Sequence, residues 1–309
     1  MGAKCELEIG KKAATWKWAA GGEIFHLPSA GRIGQVQLES VRERQRRDET
    51  SGNGARTMPA KSVSDNGYGN GAGADVEPEN ADQLINYNDA ISYWTEVPPT
   101  VDGMLGGFGE TTSVPKADVV GSSTFMRKLK SRWSVEPGKI RYGIDFGAGI
   151  GRVTRDFLHK ICDKVDLVEP VAPFVKQMHV ELQPLKEEGK IGEIYDIPMQ
   201  DWKSPEEGRY AIIWCQWCCG HLPDTAFLEW LDECKRAIQE DGILVIKENN
   251  TNDDDDLFDP EDSSKTRADK TFRKLFQQGG WKLIATDLQK GVPKELFPIR
   301  MYALKPTKE

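Results

Sequence analysis

A strand-to-helix junction at residues 140–152 constrains the fold more than any other feature: Ile-Arg-Tyr-Gly-Ile-Asp-Phe-Gly-Ala-Gly-Ile-Gly-Arg. A short apolar run ends near Asp145, glycines follow at alternate positions (Gly147, Gly149, Gly151), and a helical pattern begins at once. Glycine lets the backbone turn tightly and lets a ligand approach with no Cβ in the way. The start of the helix offers N–H groups that have no intrahelical partner. An ordinary strand–helix turn can also be glycine-rich, so the flanking residues have to decide between a turn and a ligand cradle.

The same rhythm continues along the chain. Strands are predicted at 140–146, 165–169, 191–197, 211–217 and 242–248, with helices at 151–161, 171–183 and 224–240 among them. A helix at 265–278 and strands at 281–288 and 297–304 close the pattern, and helices at 82–94 and 122–133 precede it. Alternation of this kind predicts an α/β fold with a mostly parallel sheet and helices on both faces. The last two strands have no helix between them and should form an antiparallel edge hairpin. Residues 1–80 differ: a basic stretch, Arg42–Arg47, leads into a tract of Gly, Asn, Ser and Ala with little hydrophobic period. They are expected to be a largely disordered extension, leaving 81–309 as the folded domain.

Charge and cysteine usage narrow the function. The formal net charge is −8, so a nucleic-acid backbone is not an expected partner, whereas a cationic substrate suits that sign. No apolar run approaches the roughly 18 residues that span a membrane, and the first residues lack the core of a secretory signal. Cys215, Cys218 and Cys219 end a predicted strand with no second Cys/His pair at zinc-finger spacing. Buried reduced thiols in a cytoplasmic or nuclear protein are expected, and no metal site.

The spacing of the glycines indicates the ligand. Dinucleotide folds use G-x-G-x-x-G so that a helix N-terminus receives a pyrophosphate. Here the pattern is G-x-G-x-G with an acid two residues earlier. S-adenosyl-L-methionine carries no phosphate, and its ammonium and carboxylate suit Asp145 and Arg152. Ligands of such sheets bind beyond the carboxyl ends of the strands. Glu169 ends the second strand about 20 residues downstream, the usual place for an acid that holds ribose hydroxyls. Met199, Gln200 and Gln216 follow or end the next two strands and converge on the same edge.

Further blocks carry a resemblance. Tyr93-Trp94 and then Pro98-Pro99-Thr100-Val101-Asp102-Gly103-Met104-Leu105-Gly106-Gly107 resemble the amino-terminal signature of the α-N-terminal protein methyltransferases. Asp145–Arg152, Val165–Pro170, Ile213–Leu222, Lys247–Asn249, Asp262–Ser264 and Tyr302–Leu304 resemble that family's later blocks in the same order. The resemblance implies a class I methyltransferase (Rossmann-like) fold: a seven-stranded, mostly parallel sheet with an antiparallel C-terminal hairpin and an N-terminal helical cap. It implies methyl transfer from S-adenosyl-L-methionine to the α-amine of protein N-termini beginning X-Pro-Lys or X-Pro-Arg, exposed once the initiator Met is gone.

Carried over residue by residue, the cofactor contacts fall on Gly147, Gly149, Arg152, Glu169, Met199, Gln200 and Gln216. The family often has Asp where Glu169 stands. Trp94 and Trp217 would wall in the substrate proline, with Met104 and Leu105 at the entrance and Asn249 bonding the first peptide unit. Asp259 and Asp262 would pair with the Lys or Arg at the third position. The α-amine has an ordinary pKa of about 7.7–8.0 and must lose a proton, a task for His221 and Asp262. Two competing readings stand beside this one. A small-molecule amine methyltransferase would need a closed pocket, and a non-catalytic peptide-binding module would not need His221 or Asn249.

Overall fold

The computed structural model describes residues 5–10, 13–20, 23–26, 80–133, 138–294 and 296–307. In the amino-terminal extension these are three strands, β1 (Cys5–Gly10), β2 (Ala13–Ala20) and β3 (Glu23–His26), paired as an antiparallel ribbon. The ribbon falls within the 1–80 extension, most of which lies outside the described residues. The basic cluster and the Gly/Asn/Ser tract lie outside the described residues.

The apolar runs from 140 onward become a seven-stranded sheet. Its strands are β4 (Tyr142–Phe146), β5 (Lys164–Val168), β6 (Ile191–Tyr195), β7 (Tyr210–Gln216), β8 (Ile238–Asn249), β11 (Trp281–Leu288) and β12 (Ile299–Pro306). The order is β11–β12–β8–β7–β4–β5–β6. The five strands from β8 to β6 run parallel, and β12 pairs antiparallel with both β8 and β11. The C-terminal hairpin is therefore present, with its second strand inserted beside β8 rather than at the edge.

Burial on both faces explains why β7 reads as a continuous apolar run. Ile212 and Trp214 pack with Phe125, Met126, Phe157 and Val245 on one side. Ile213 and Cys215 pack on the other with Phe227, Trp230, Phe272 and Tyr302. The helices supplying these layers are α1 (Tyr87–Glu96), α2 (Val114–Lys128), α3 (Arg152–Asp156), α4 (Ala172–Glu181), α5 (Asp224–Ala237) and α6 (Asp269–Gln278).

Four helix boundaries depart from the sequence reading. The Asn86 side chain caps α1 by accepting from Asn88 N, so a separate 3-10 turn, Ala81–Leu84, precedes the helix. Helix α2 starts earlier than expected because Pro115 fits its first turn, where no N–H is needed. The helix after the glycine turn breaks at Phe157 (φ −136°) into a short 3-10 turn.

The helix expected at 265–278 begins only at Asp269. Residues before it form strand β10 (Ser264–Thr266), paired with β9 (Leu257–Asp259). Lys265 is buried there, its ammonium bonding Asp82 Oδ1 at 2.9 Å and Asp224 Oδ1 at 2.8 Å. Asp82 Oδ1 also accepts from Asp224 N at 2.6 Å. Those tertiary ion pairs hold Lys265 in an extended segment, overriding a charge pattern that suits a helix surface.

Candidate active site

The first strand of the parallel set ends in a turn that only glycine can make. Gly147, Gly149 and Gly151 have φ of 64°, 55° and 79°, the left-handed region that costs other residues about 1–2 kcal/mol. Space is equally tight: a Cβ on Gly147 would lie 2.4 Å from Cys218 Cβ, and one on Gly149 2.6 Å from Met104 Sδ. The turn's own N–H groups are largely engaged. Those of Gly147 and Ala148 donate to Val168 O, and that of Gly149 donates to Glu169 Oε2 at 2.7 Å.

Glu169 is buried, and its Oε1 accepts from Val171 N at 2.9 Å. Burial pushes its carboxyl up to about 7 against the pull of the two N–H bonds. Each oxygen keeps lone pairs for a hydroxyl donor. Asp145 departs from expectation. It does not line the cavity; its Oδ2 accepts from Thr154 Oγ1 at 2.7 Å, tying the strand end to α3, and burial pushes its carboxyl up to about 7.

Beyond the carboxyl ends of the strands lies a cavity of about 400 Å³. Gly147, Gly149, Arg152, Glu169, Met199, Gln200 and Gln216 all line it. A left-handed glycine cradle, a buried acid next to it and a buried Arg152 together fit S-adenosylmethionine: apolar walls for the adenine, an acid for the ribose, a cation for the carboxylate.

A second cavity of about 160 Å³ is lined by Leu105, Asn249 and Asp262 among others. Trp94, Met104, Trp217 and His221 line both, so the two cavities share a wall. Among the described residues, six buried side-chain nitrogens or oxygens have no hydrogen-bond partner, and three of them belong to this second cavity's walls: Trp217 Nε1, His221 Nδ1 and Asp262 Oδ1. An unpaired buried polar group costs about 1–3 kcal/mol. Their concentration around one cavity marks a place prepared for a polar ligand.

The surrounding backbone is built to hold these groups. Trp217 has φ 54°, rare for a bulky residue. Its N–H donates to Lys247 O, and Glu248 Oε1 accepts from the N–H groups of Cys218 and Cys219 at 2.8 and 3.0 Å. Arg267, fully buried, donates to Cys219 O at 2.9 Å and Leu222 O at 2.5 Å, fixing the turn that carries His221. Ser263, beside Asp262, also has φ 54°, and its Oγ accepts from Asn86 N at 2.8 Å, linking the acid to the start of α1.

Asp259 is not brought to either cavity wall. Its Oδ1 accepts from Glu261 N at 2.9 Å, and burial, with Asp262 nearby, raises its carboxyl above the ordinary range. Of the two aspartates, Asp262 lines the second cavity and Asp259 does not; Glu248 is the other acid on that wall. Two residues with evident roles were not anticipated. Glu248 locks the Trp217 turn, and Asp118 binds Arg152 Nη1 at 2.7 Å. Glu248 lies in the Lys247–Asn249 block but has no expected role there, and Asp118 lies in no motif. Cys162, Cys215, Cys218, Cys219 and Cys234 are free thiols, with Cys215 Sγ 3.3 Å from Cys218 Sγ and burial pushing the Cys219 thiol up to about 12. Cys215, Cys219 and Glu248 come together with ligand atoms within 4.8 Å, and Glu248 Oε1 accepts from Cys219 Sγ.

Strand order, glycine cradle and paired cavities define a class I S-adenosylmethionine-dependent methyltransferase. The sequence profile of the AdoMet dependent proline di-methyltransferase family matches residues 82–305, and the chain belongs to that family. It is 46% identical over 222 residues to Alpha N-terminal protein methyltransferase 1 of Schizosaccharomyces pombe, covering 71% of this chain and 96% of the relative. N-terminal Xaa-Pro-Lys N-methyltransferase 1 of Xenopus tropicalis is 37% identical over 226 residues, covering 72% and 97%. A SAM-dependent methyltransferase of Leishmania major has a similar solved structure (TM-score 0.63, 34% identity), covering 71% of this chain and 82% of that one.

Proposed function

We propose that the chain methylates the α-amine of protein N-termini beginning X-Pro-Lys or X-Pro-Arg. The observation that carries this reading is the second cavity, with its three unpartnered polar atoms sharing a wall with the cofactor cavity. S-adenosyl-L-methionine supplies a sulfonium-bound methyl for in-line transfer. Gly147, Gly149, Glu169, Met199, Gln200 and Gln216 hold the cofactor, and Arg152 takes its carboxylate.

The chain's own residues then present a neutral amine. Trp94 and Trp217 bound the proline ring, Met104 and Leu105 form the entrance, and Asn249 takes the first peptide unit. The α-amine, with a pKa of about 7.7–8.0, is mostly protonated at neutral pH. Trp94 Nε1 donates to His221 Nε2 at 3.1 Å, so the neutral imidazole carries its proton on Nδ1 and cannot accept another there. Asp262 Oδ1 is the proton acceptor, and His221, whose Nδ1–H only donates, steers the peptide through an acceptor other than the amine lone pair. Asp262, backed by Asp259, also draws the Lys or Arg at the third position. The exposed run Asp253–Asp255 adds a field for basic peptides.

The relatives' names support the substrate class, and the acidic surroundings support it over a neutral small molecule. No described helix is long and apolar enough to cross a membrane. The free thiols support work in the cytoplasm or nucleus. The test is labelled S-adenosylmethionine with peptides starting Ser-Pro-Lys, Ser-Ala-Lys and acetyl-Ser-Pro-Lys. Label should enter the first far more than the second. Equal labelling of the acetylated peptide would move the reaction to lysine and end the assignment.

A further inference from the structure

A buried polar cluster lies next to the cofactor cavity without forming its lining. Asp118, on α2 and 3% exposed, accepts from Arg152 Nη1 on Oδ2 at 2.7 Å and from Gln216 Nε2 on Oδ1 at 3.0 Å. The Lys247 ammonium bonds the same Oδ1, and donates to Ser122 Oγ at 3.0 Å and to Asp118 O at 3.2 Å. Trp214 Nε1 donates to Gln216 Oε1 at 3.1 Å, which fixes the direction of that amide. Arg152 and Gln216 line the cavity, whereas Asp118 and Lys247 do not.

Two basic groups, Arg152 and Lys247, share one carboxylate here, with burial pulling the Lys247 ammonium below its ordinary range. Burial alone would raise the Asp118 carboxyl, but Lys247 and Arg152 outweigh it and hold the group below the ordinary range. Buried ion pairs contribute little net stability compared with apolar packing. Orientation is what this one provides: a guanidinium and an amide whose remaining N–H donors are set before any ligand arrives.

We propose that Asp118 is a positioning residue for the carboxylate end of the cofactor, acting through Arg152 and Gln216. The inference rests on S-adenosylmethionine occupying the larger cavity. Helix α2, which belongs to the segment ahead of the sheet, thereby becomes part of the cofactor site.

Two ligands test it by calorimetry on the full chain. S-adenosylhomocysteine has the amino-acid end, and 5′-methylthioadenosine shares the nucleoside thioether but lacks that end. Wild-type protein should bind the first more tightly. Asp118→Asn is expected to weaken S-adenosylhomocysteine tenfold or more and to leave 5′-methylthioadenosine within twofold. Equal weakening of both, or an unchanged ratio, overturns the proposal, because a merely structural residue would not distinguish them. If Asp118→Asn does not fold, Asp118→Glu keeps the charge but displaces the carboxylate, and is read by the same ratio. A wild-type chain that fails to prefer S-adenosylhomocysteine would instead sink the cofactor reading itself.

Discussion

The indole of Trp94 and the imidazole of His221 meet edge to face, centroids 6.2 Å apart and planes at 89°, joined by the bond from Nε1 to Nε2. Because an indole N–H only donates, this contact sets the tautomer of a histidine that lines both cavities. It is the basis for proposing two separate roles that the residue types alone leave merged, His221 directing and Asp262 accepting.

Trp94→Phe keeps an aromatic wall and removes the donor. Peptide kcat/KM should fall about tenfold, the order of one lost hydrogen bond, with cofactor affinity changed less than twofold. A matching loss of cofactor affinity would show that Trp94 acts as a wall and not through His221. Steady-state kinetics with calorimetry decides.

Asp262→Asn removes the proposed proton acceptor without changing its size. The expected fall in kcat at pH 7 is about 100-fold or more. Raising the pH to 9 takes a free α-amine above its pKa of about 7.7–8.0, so part of the loss should return. Wild-type kinetics in the variant would remove Asp262 from the chemistry.

Alanine at the glycine turn should be graded. At Gly149 the new Cβ meets Met104 Sδ, the end of a flexible side chain, whereas at Gly147 it meets Cys218 Cβ, fixed to the backbone. Both carry the left-handed penalty of about 1–2 kcal/mol. Gly147→Ala should therefore lower the melting temperature and cofactor affinity more than Gly149→Ala, as thermal melts and binding titrations can check.

Three buried carboxyls, Asp145, Glu169 and Glu248, sit up at about 7 in the folded chain, each raised chiefly by burial. The folded state then binds more protons than the unfolded one between the ordinary carboxylate range and pH 7. Stability is greatest below that window and declines as pH rises through it. Melting temperature without cofactor should fall from pH 5 to pH 7, more gently in Glu169→Gln. An identical slope in that variant would show that Glu169 does not titrate there.

The sheet was legible because buried parallel strands leave continuous apolar runs, and the lining of the larger cavity because strand ends converge whatever the loops do. What escaped depends on partners distant in sequence. Asp118 sits in a helix with no motif, and its role exists only once Arg152, Gln216 and Lys247 close around it. Asp145 suits a ligand's ammonium by residue type and place, but a threonine nine residues on claims it. Asp259 and Asp262 look equivalent in sequence, yet the short β9–β10 hairpin brings only Asp262 to the cavity wall.

The buried Lys265 ties three separate stretches of chain: Asp82 ahead of α1, Asp224 at the start of α5, and Asp256, 3.6 Å away, before β9. The catalytic unit therefore reaches back to the 3-10 turn at Ala81–Leu84. Shortening the chain to Tyr87 would spare every cavity-lining residue yet strip one anion from a buried ammonium three positions from Asp262. Chains trimmed to Asn80 are expected to keep their activity and chains lacking Asp82 to lose it, as methylation assays on the two shortened forms would check.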